Sequence, residues 1–173
     1  GIDCDHLKEI SKINFKNAKH NPCAQTRNWN FSSQSFTDCD QSNPVIEGRI
    51  RKMDCGQITD GAACVFLASE SVAMEYAEKH QMKITDIPRI KGWGHRSAPI
   101  SLATKLKHSA SHPLIFPHVA QIMTDALSRA GMSDITELDG LETHDCFSIT
   151  EYMAIDHIGL TSPGESWKAI EEG

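Results

Sequence analysis

The residues best placed to do chemistry are His144-Asp145-Cys146-Phe147, which set an imidazole and a thiol two positions apart. They stand between the Leu138 to Thr143 segment and Ser148-Ile149-Thr150-Glu151, which reads as a capping box opening a helix. A thiol at a helix N-terminus feels the positive end of the helix dipole, and an adjacent imidazole can take up or return a proton. Two kinds of reaction suit such a pair: nucleophilic attack on an acyl carbon, or proton exchange with a carbon acid. Both need a dry pocket with donors facing an oxyanion. Against either stands the structural role of an inert buried cysteine beside a histidine that satisfies a core hydrogen bond. A hydrolase with Cys146 as nucleophile and His144 as base is the weaker chemistry, because residues two apart on an extended segment point to opposite faces.

Other groupings carry less. Cys4, His6, His20 and Cys23 run C-x-H and then H-x-x-C, which lacks the paired knuckles of structural zinc modules, so no metal site is expected. His108 and His112 lie four apart but are followed by Pro113, without the glutamate base of a metalloprotease helix. Gly92-Trp93-Gly94 lacks the third glycine of a dinucleotide fingerprint.

The elements that must position these residues fit one packed core with a loop-rich appendage, given 173 residues of which 39% are hydrophobic. A formal charge of −6 argues against a nucleic-acid surface. A local basic group, Arg49, Arg51 and Lys52 with Lys16, Lys19, His20 and Arg27 upstream, suits a small anionic ligand or a solvated face. Six irregularly spaced cysteines suggest reduced thiols, and no apolar run reaches the roughly 18 to 20 residues of a membrane span. With no basic and then apolar block at the amino terminus, a cytoplasmic or organellar-matrix setting is expected.

Residues 1–52 are rich in Asn, Gln, Ser and Asp and read as a surface layer, with a short helix through Leu7, Ile10 and Phe15. From Val45 the core begins. Ala62 to Ala68 has strand length, Ser69 suits an N-cap for a helix through Val72, Tyr76 and Ala77, and Lys83 to Trp93 is a strand interrupted by Pro88. Ser97 to His112 is expected to be irregular. Pro117 opens a helix carrying Val119, Ile122, Met123, Ala126, Leu127 and Ala130, closed by Gly131 as a left-handed cap. A strand through Leu138 and Leu141 and a helix from Ser148 to His157 complete an α/β order.

His144-Asp145-Cys146-Phe147 resembles the motif of the sterol-carrier-protein type of thiolase and its bacterial thiolase-like acetyl-CoA acetyltransferase relatives. Asp60-Gly61-Ala62-Ala63-Cys64-Val65-Phe66-Leu67-Ala68-Ser69 looks like the strand that returns from the thiolase loop domain to finish the first core half. Lys19-His20-Asn21-Pro22-Cys23-Ala24-Gln25 is similar to the loop-domain segment before it. The resemblance implies a layered α-β-α-β-α fold of two similar halves, only partly represented here. Residues 1–52 would end the loop domain that covers coenzyme A. Residues 53–82 would supply the last strand and helix of the N-terminal half, and 83–173 would start the C-terminal half.

The implied activity is acyl transfer between acyl-CoA and coenzyme A or acetyl-CoA, with CoA as substrate and no permanently bound cofactor. His144 would donate to the thioester oxygen as an enolate forms, and Cys146 would move the proton on the reacting carbon. Asp145 would orient the loop and Phe147 would pack. The family's Cys-x-Ser nucleophile and Gly-His-Pro loop are missing from their expected places; Cys146-Phe147-Ser148 and Ser111-His112-Pro113 only imitate them. With Gly1 in place of an initiator Met and a helix near Glu165 running to Gly173, the chain reads as a central fragment, inactive alone. The alternative is a noncatalytic thiolase-like CoA-binding or partner subunit. A homodimer or homotetramer is the expected assembly.

Overall fold

The computed structural model describes residues 2–173, which form six α-helices and one two-stranded sheet. The first helix, α1 (Cys4–Ala18), starts where the Asp3 carboxylate accepts from the Asp5 amide, and it is longer than its sparse apolar pattern suggests. Its inner face carries Leu7 and Ile10. Both are buried against Tyr152 of α5 (Ser148–His157), with Ile2, Ile149 and Ile170 packed around them. The last of these belongs to α6 (Ser166–Glu172), so the core of the molecule is where α1, α5 and α6 meet. Phe15 extends α1 into a second cluster with Trp29, Phe31 and Phe36, which anchors the polar 20–43 segment.

That segment returns to the core through charge and amide pairing. Asp38 accepts from Lys8 at 2.8 Å and from Arg51 at 3.0 Å, and the hydrogen bond from Lys8 holds its carboxyl below the usual range. Arg51 also bonds Asp40 and the Asn43 carbonyl. Arg51 is therefore committed to structure rather than standing on a solvated face or open to a small anionic ligand. Asn43, only 1% exposed, accepts from the Met53 amide and donates to the Thr37 carbonyl. These bonds fix the hairpin of β1 (Val45–Glu47) and β2 (Ile50–Arg51) and the 3-10 turn Lys52–Asp54 that follows.

The remaining helices obey their local signals. Ser69 accepts from the Val72 amide and caps α2 (Glu70–Lys79). Residues 97–112, expected to be irregular, contain α3 (Leu102–Ser109). Pro117 opens α4 (Pro117–Ala130), which Gly131 closes at φ 76°. The close approach of the 92–94 segment to α4 explains its glycines. A Cβ on Gly94 would strike the Ile122 carbonyl, and one on Gly92 the Ala126 carbonyl and the Ala130 amide. Arg129 secures the contact by bonding the Trp93 carbonyl and lying over its ring.

The expected strands differ. Among the described residues, 62–68, 83–93 and 138–143 have no ladder partner, and Ile84–Asp86 is a 3-10 turn. A strand exists only when another backbone runs about 4.8 Å away to exchange hydrogen bonds. Val65 and Phe66 accordingly stand 81% and 92% exposed. No helix among the described residues is long and apolar enough to cross a membrane.

Candidate active site at the helix α5 junction

The His144–Phe147 segment is held from two sides. Phe147 forms an isolated antiparallel bridge with Cys55, and the Gly56 amide donates to the Cys146 carbonyl at 2.8 Å. Gly56 allows a close crossing, since a Cβ there would lie 3.1 Å from the Cys146 oxygen and would require the segment to shift by a few tenths of an ångström. Just beyond, Ser148 is not the N-cap that the Ser-x-x-Glu pattern suggests. It occupies the first helical position, and its hydroxyl donates instead to the Asp54 carboxylate at 2.8 Å. Both groups are buried, and the second Asp54 oxygen accepts from the Arg51 amide. A buried carboxylate outcompetes the helix amides for that hydroxyl because leaving it bare costs more than leaving a solvated amide uncapped.

Glu151, the other half of the supposed box, points to α1. Asn14 donates its side-chain amide to Glu151 at 2.6 Å and to Asp145 at 2.9 Å. The other Asp145 oxygen is buried without a partner. Burial first, and then the neighbouring Glu151, push the Asp145 carboxyl up to about 7, against the opposing hydrogen bond from Asn14. Burial also pushes up the Cys55 thiol, helped by Asp54.

Between α1 and this junction lies a cleft of about 320 Å³. Its walls include Asn14, Gln25, Cys55, Gln57 and Asp145, so the 19–25 and 144–147 segments singled out from sequence each reach it through one residue, while none of 60–69 lines it. The structure brings Asp145 and Ser148 to that wall. Cys146 is half-buried beside it, with its sulfur 3.5 Å from the Thr150 hydroxyl on the first turn of α5. His144 is exposed, and among the described residues no hydrogen bond joins it to Cys146, which removes the geometry of a preformed thiol–imidazole nucleophile. Asn14, Asp54 and Glu151 went unrecognised in the sequence. Only Glu151 carried a signal, its place three residues after Ser148, and that signal pointed to a cap.

Comparison with known proteins finds relatives of the thiolase kind. Residues 101–173 match the model of the thiolase C-terminal domain-like family. The chain is 28% identical over 176 residues to the acetyl-CoA acetyltransferase of Methanothermobacter thermautotrophicus, covering 100% of this chain and 40% of that protein. It is 26% identical over 170 residues to sterol carrier protein 2 of Bos taurus, covering 96% of this chain and 29% of that protein. The benzoylsuccinyl-CoA thiolase subunit BbsB of Thauera aromatica is 22% identical over 173 residues. The chain thus spans well under half the length of these curated relatives, and no solved structure gives a significant match. Residues 101–173 are thus similar to the thiolase C-terminal domain-like family, and the α/β chain that carries them is similar, over its whole length, to part of the acetyl-CoA acetyltransferases.

Proposed function

We propose that this chain supplies the second-step machinery of a thiolase-like acyl-CoA acyltransferase of the acetyl-CoA acetyltransferase or 3-ketoacyl-CoA thiolase type. The observation that carries the proposal is the seating of His144–Phe147 on the Cys55–Gly56 backbone, beside a cleft and at the start of α5. Residues 1–52 are the part of the loop domain that covers coenzyme A, 53–82 close the first half, and 83–173 begin the second.

In condensation, Cys146 takes a proton from the carbon next to the acetyl-CoA thioester. His144, exposed and without a hydrogen-bond partner among the described residues, donates to the thioester oxygen where negative charge collects. The resulting enolate attacks an acyl group carried as a thioester on a cysteine other than Cys146. A carbon–carbon bond forms, and the carrier's sulfur leaves as thiolate. In thiolysis the same groups work in reverse, with coenzyme A receiving the acyl group. Cys146 is suited to proton transfer rather than acyl carriage, because the hydrogen-bond contact of its sulfur is the Thr150 hydroxyl and not an imidazole.

The test is to incubate the full-length protein that contains this chain with acetyl-CoA, digest it and map the acetylated cysteines by mass. Acetyl should appear on a residue other than Cys146, and His144→Ala should lower turnover by roughly 10²- to 10³-fold. An acetylated Cys146 would make it the nucleophile. A protein that binds CoA but never becomes acetylated would be the noncatalytic partner subunit.

A further inference from the structure

Asp145, inside the proposed catalytic segment, stands among groups that give its charge no counterion. From α5 it faces Glu151. The turn at Lys52–Asp54 presents Asp54, already engaged by Ser148 and the Arg51 amide, and then the Cys55 thiol. From α1 it meets the Asn14 amide. Among the described residues no lysine or arginine lines the cleft that Asp145, Asn14, Asp54 and Cys55 share. One nitrogen with two hydrogens thus holds two carboxyls that have no cation between them, while the second Asp145 oxygen is buried and unbonded. Two carboxyls in that arrangement stay side by side when they hold one proton between them and repel when both are ionised.

We propose that Asn14 is a positioning residue for the His144–Cys146 segment: it clamps Asp145 to Glu151 as a proton-sharing pair, and loss of that proton to solvent releases the segment from α1. The clamp deepens the acyltransferase reading and rests on it for its catalytic consequence. Its structural consequence stands apart. Asn14 joins residues 131 and 137 positions away, so it links the 1–52 layer directly to the segment that carries Cys146. The upward displacement of the Asp145 carboxyl to about 7 has the sign that such sharing requires.

Two readouts on the full-length protein test the clamp. The first is the protection factor of the Gly56 amide, whose bond to the Cys146 carbonyl reports whether the segment is seated. It should fall about ten-fold from pH 6 to pH 8.5 as the proton is lost. The fall should vanish in Asp145→Asn, whose amide donates to Glu151 at every pH, and protection should drop at all pH values in Asn14→Ala. Should Asp145→Asn fail to fold, Glu151→Gln removes the same repulsion from the other side. The second readout is the pH profile of condensation, which should lose its decline above about pH 7 in Asp145→Asn while acyl-enzyme formation keeps its wild-type profile. Protection that is flat with pH in the wild type, or that falls equally in Asp145→Asn, overturns the clamp. A protein with the expected protection profile but no acyl-CoA turnover retains the clamp and defeats the acyltransferase reading instead.

Discussion

Replacing Ser148 with Ala removes one hydroxyl and exposes how far the His144–Phe147 segment depends on the Lys52–Asp54 turn. Ser148 is 3% exposed and Asp54 6%, and the bond between them is 2.8 Å long. Without it one oxygen of a buried carboxylate keeps no donor, while the other retains the Arg51 amide. A hydrogen bond to a charged group contributes about 1.5 to 3 kcal/mol. At about 1.4 kcal/mol per factor of ten, local opening should become roughly 10- to 100-fold more frequent. Native-state hydrogen exchange across 51–57 and 145–151 measures this directly, with the Gly56 and Thr150 amides as reporters. Asp54→Ala in the same background should add little, since the two residues act through one bond. Protection unchanged within two-fold in Ser148→Ala, or full additivity with Asp54→Ala, would refute the coupling.

Two further predictions concern the scaffold. Gly94→Ala drives a Cβ into the Ile122 backbone of α4 and should cost about 1 to 3 kcal/mol in denaturant unfolding, whereas Gly140→Ala, with nothing within 4 Å, should be neutral within about 0.5 kcal/mol. His157→Ala should destabilise by about 2 to 4 kcal/mol. Its ring accepts from the Phe116 amide and meets Asp156 at 2.6 Å while only 4% exposed, so truncation leaves a cavity and unpaired polar groups, and Asp156→Asn should be much milder.

What could be read in the sequence was what neighbours along the chain determine. Ser69, Pro117 and Gly131 mark helix ends because their preferences act within one turn, and α2 and α4 follow them. Ser148 shows where that logic stops. Its pattern is a good local cap, but a carboxylate 94 positions earlier takes the hydroxyl. Asn14 was equally invisible, being an ordinary polar residue on a helix until folding brings Asp145 and Glu151 to it. The two glycines around Trp93 were rightly set aside as a phosphate loop, but their use in close helix contact depends on α4, which only folding brings to them. The unpaired 62–68 segment has strand composition, but composition does not supply the backbone against which a strand must lie.

The central claim is that Cys146 moves the proton in the second half-reaction and does not carry the acyl group. Cys146→Ser in the full-length protein, followed in separate half-reactions, tests it most directly. Acyl-enzyme formation from acyl-CoA should proceed near the wild-type rate, while condensation and the exchange of acetyl-CoA methyl protons with solvent should fall by roughly 10²- to 10⁴-fold. Condensation that survives the substitution unimpaired would contradict the account, as would an acyl-enzyme that no longer forms.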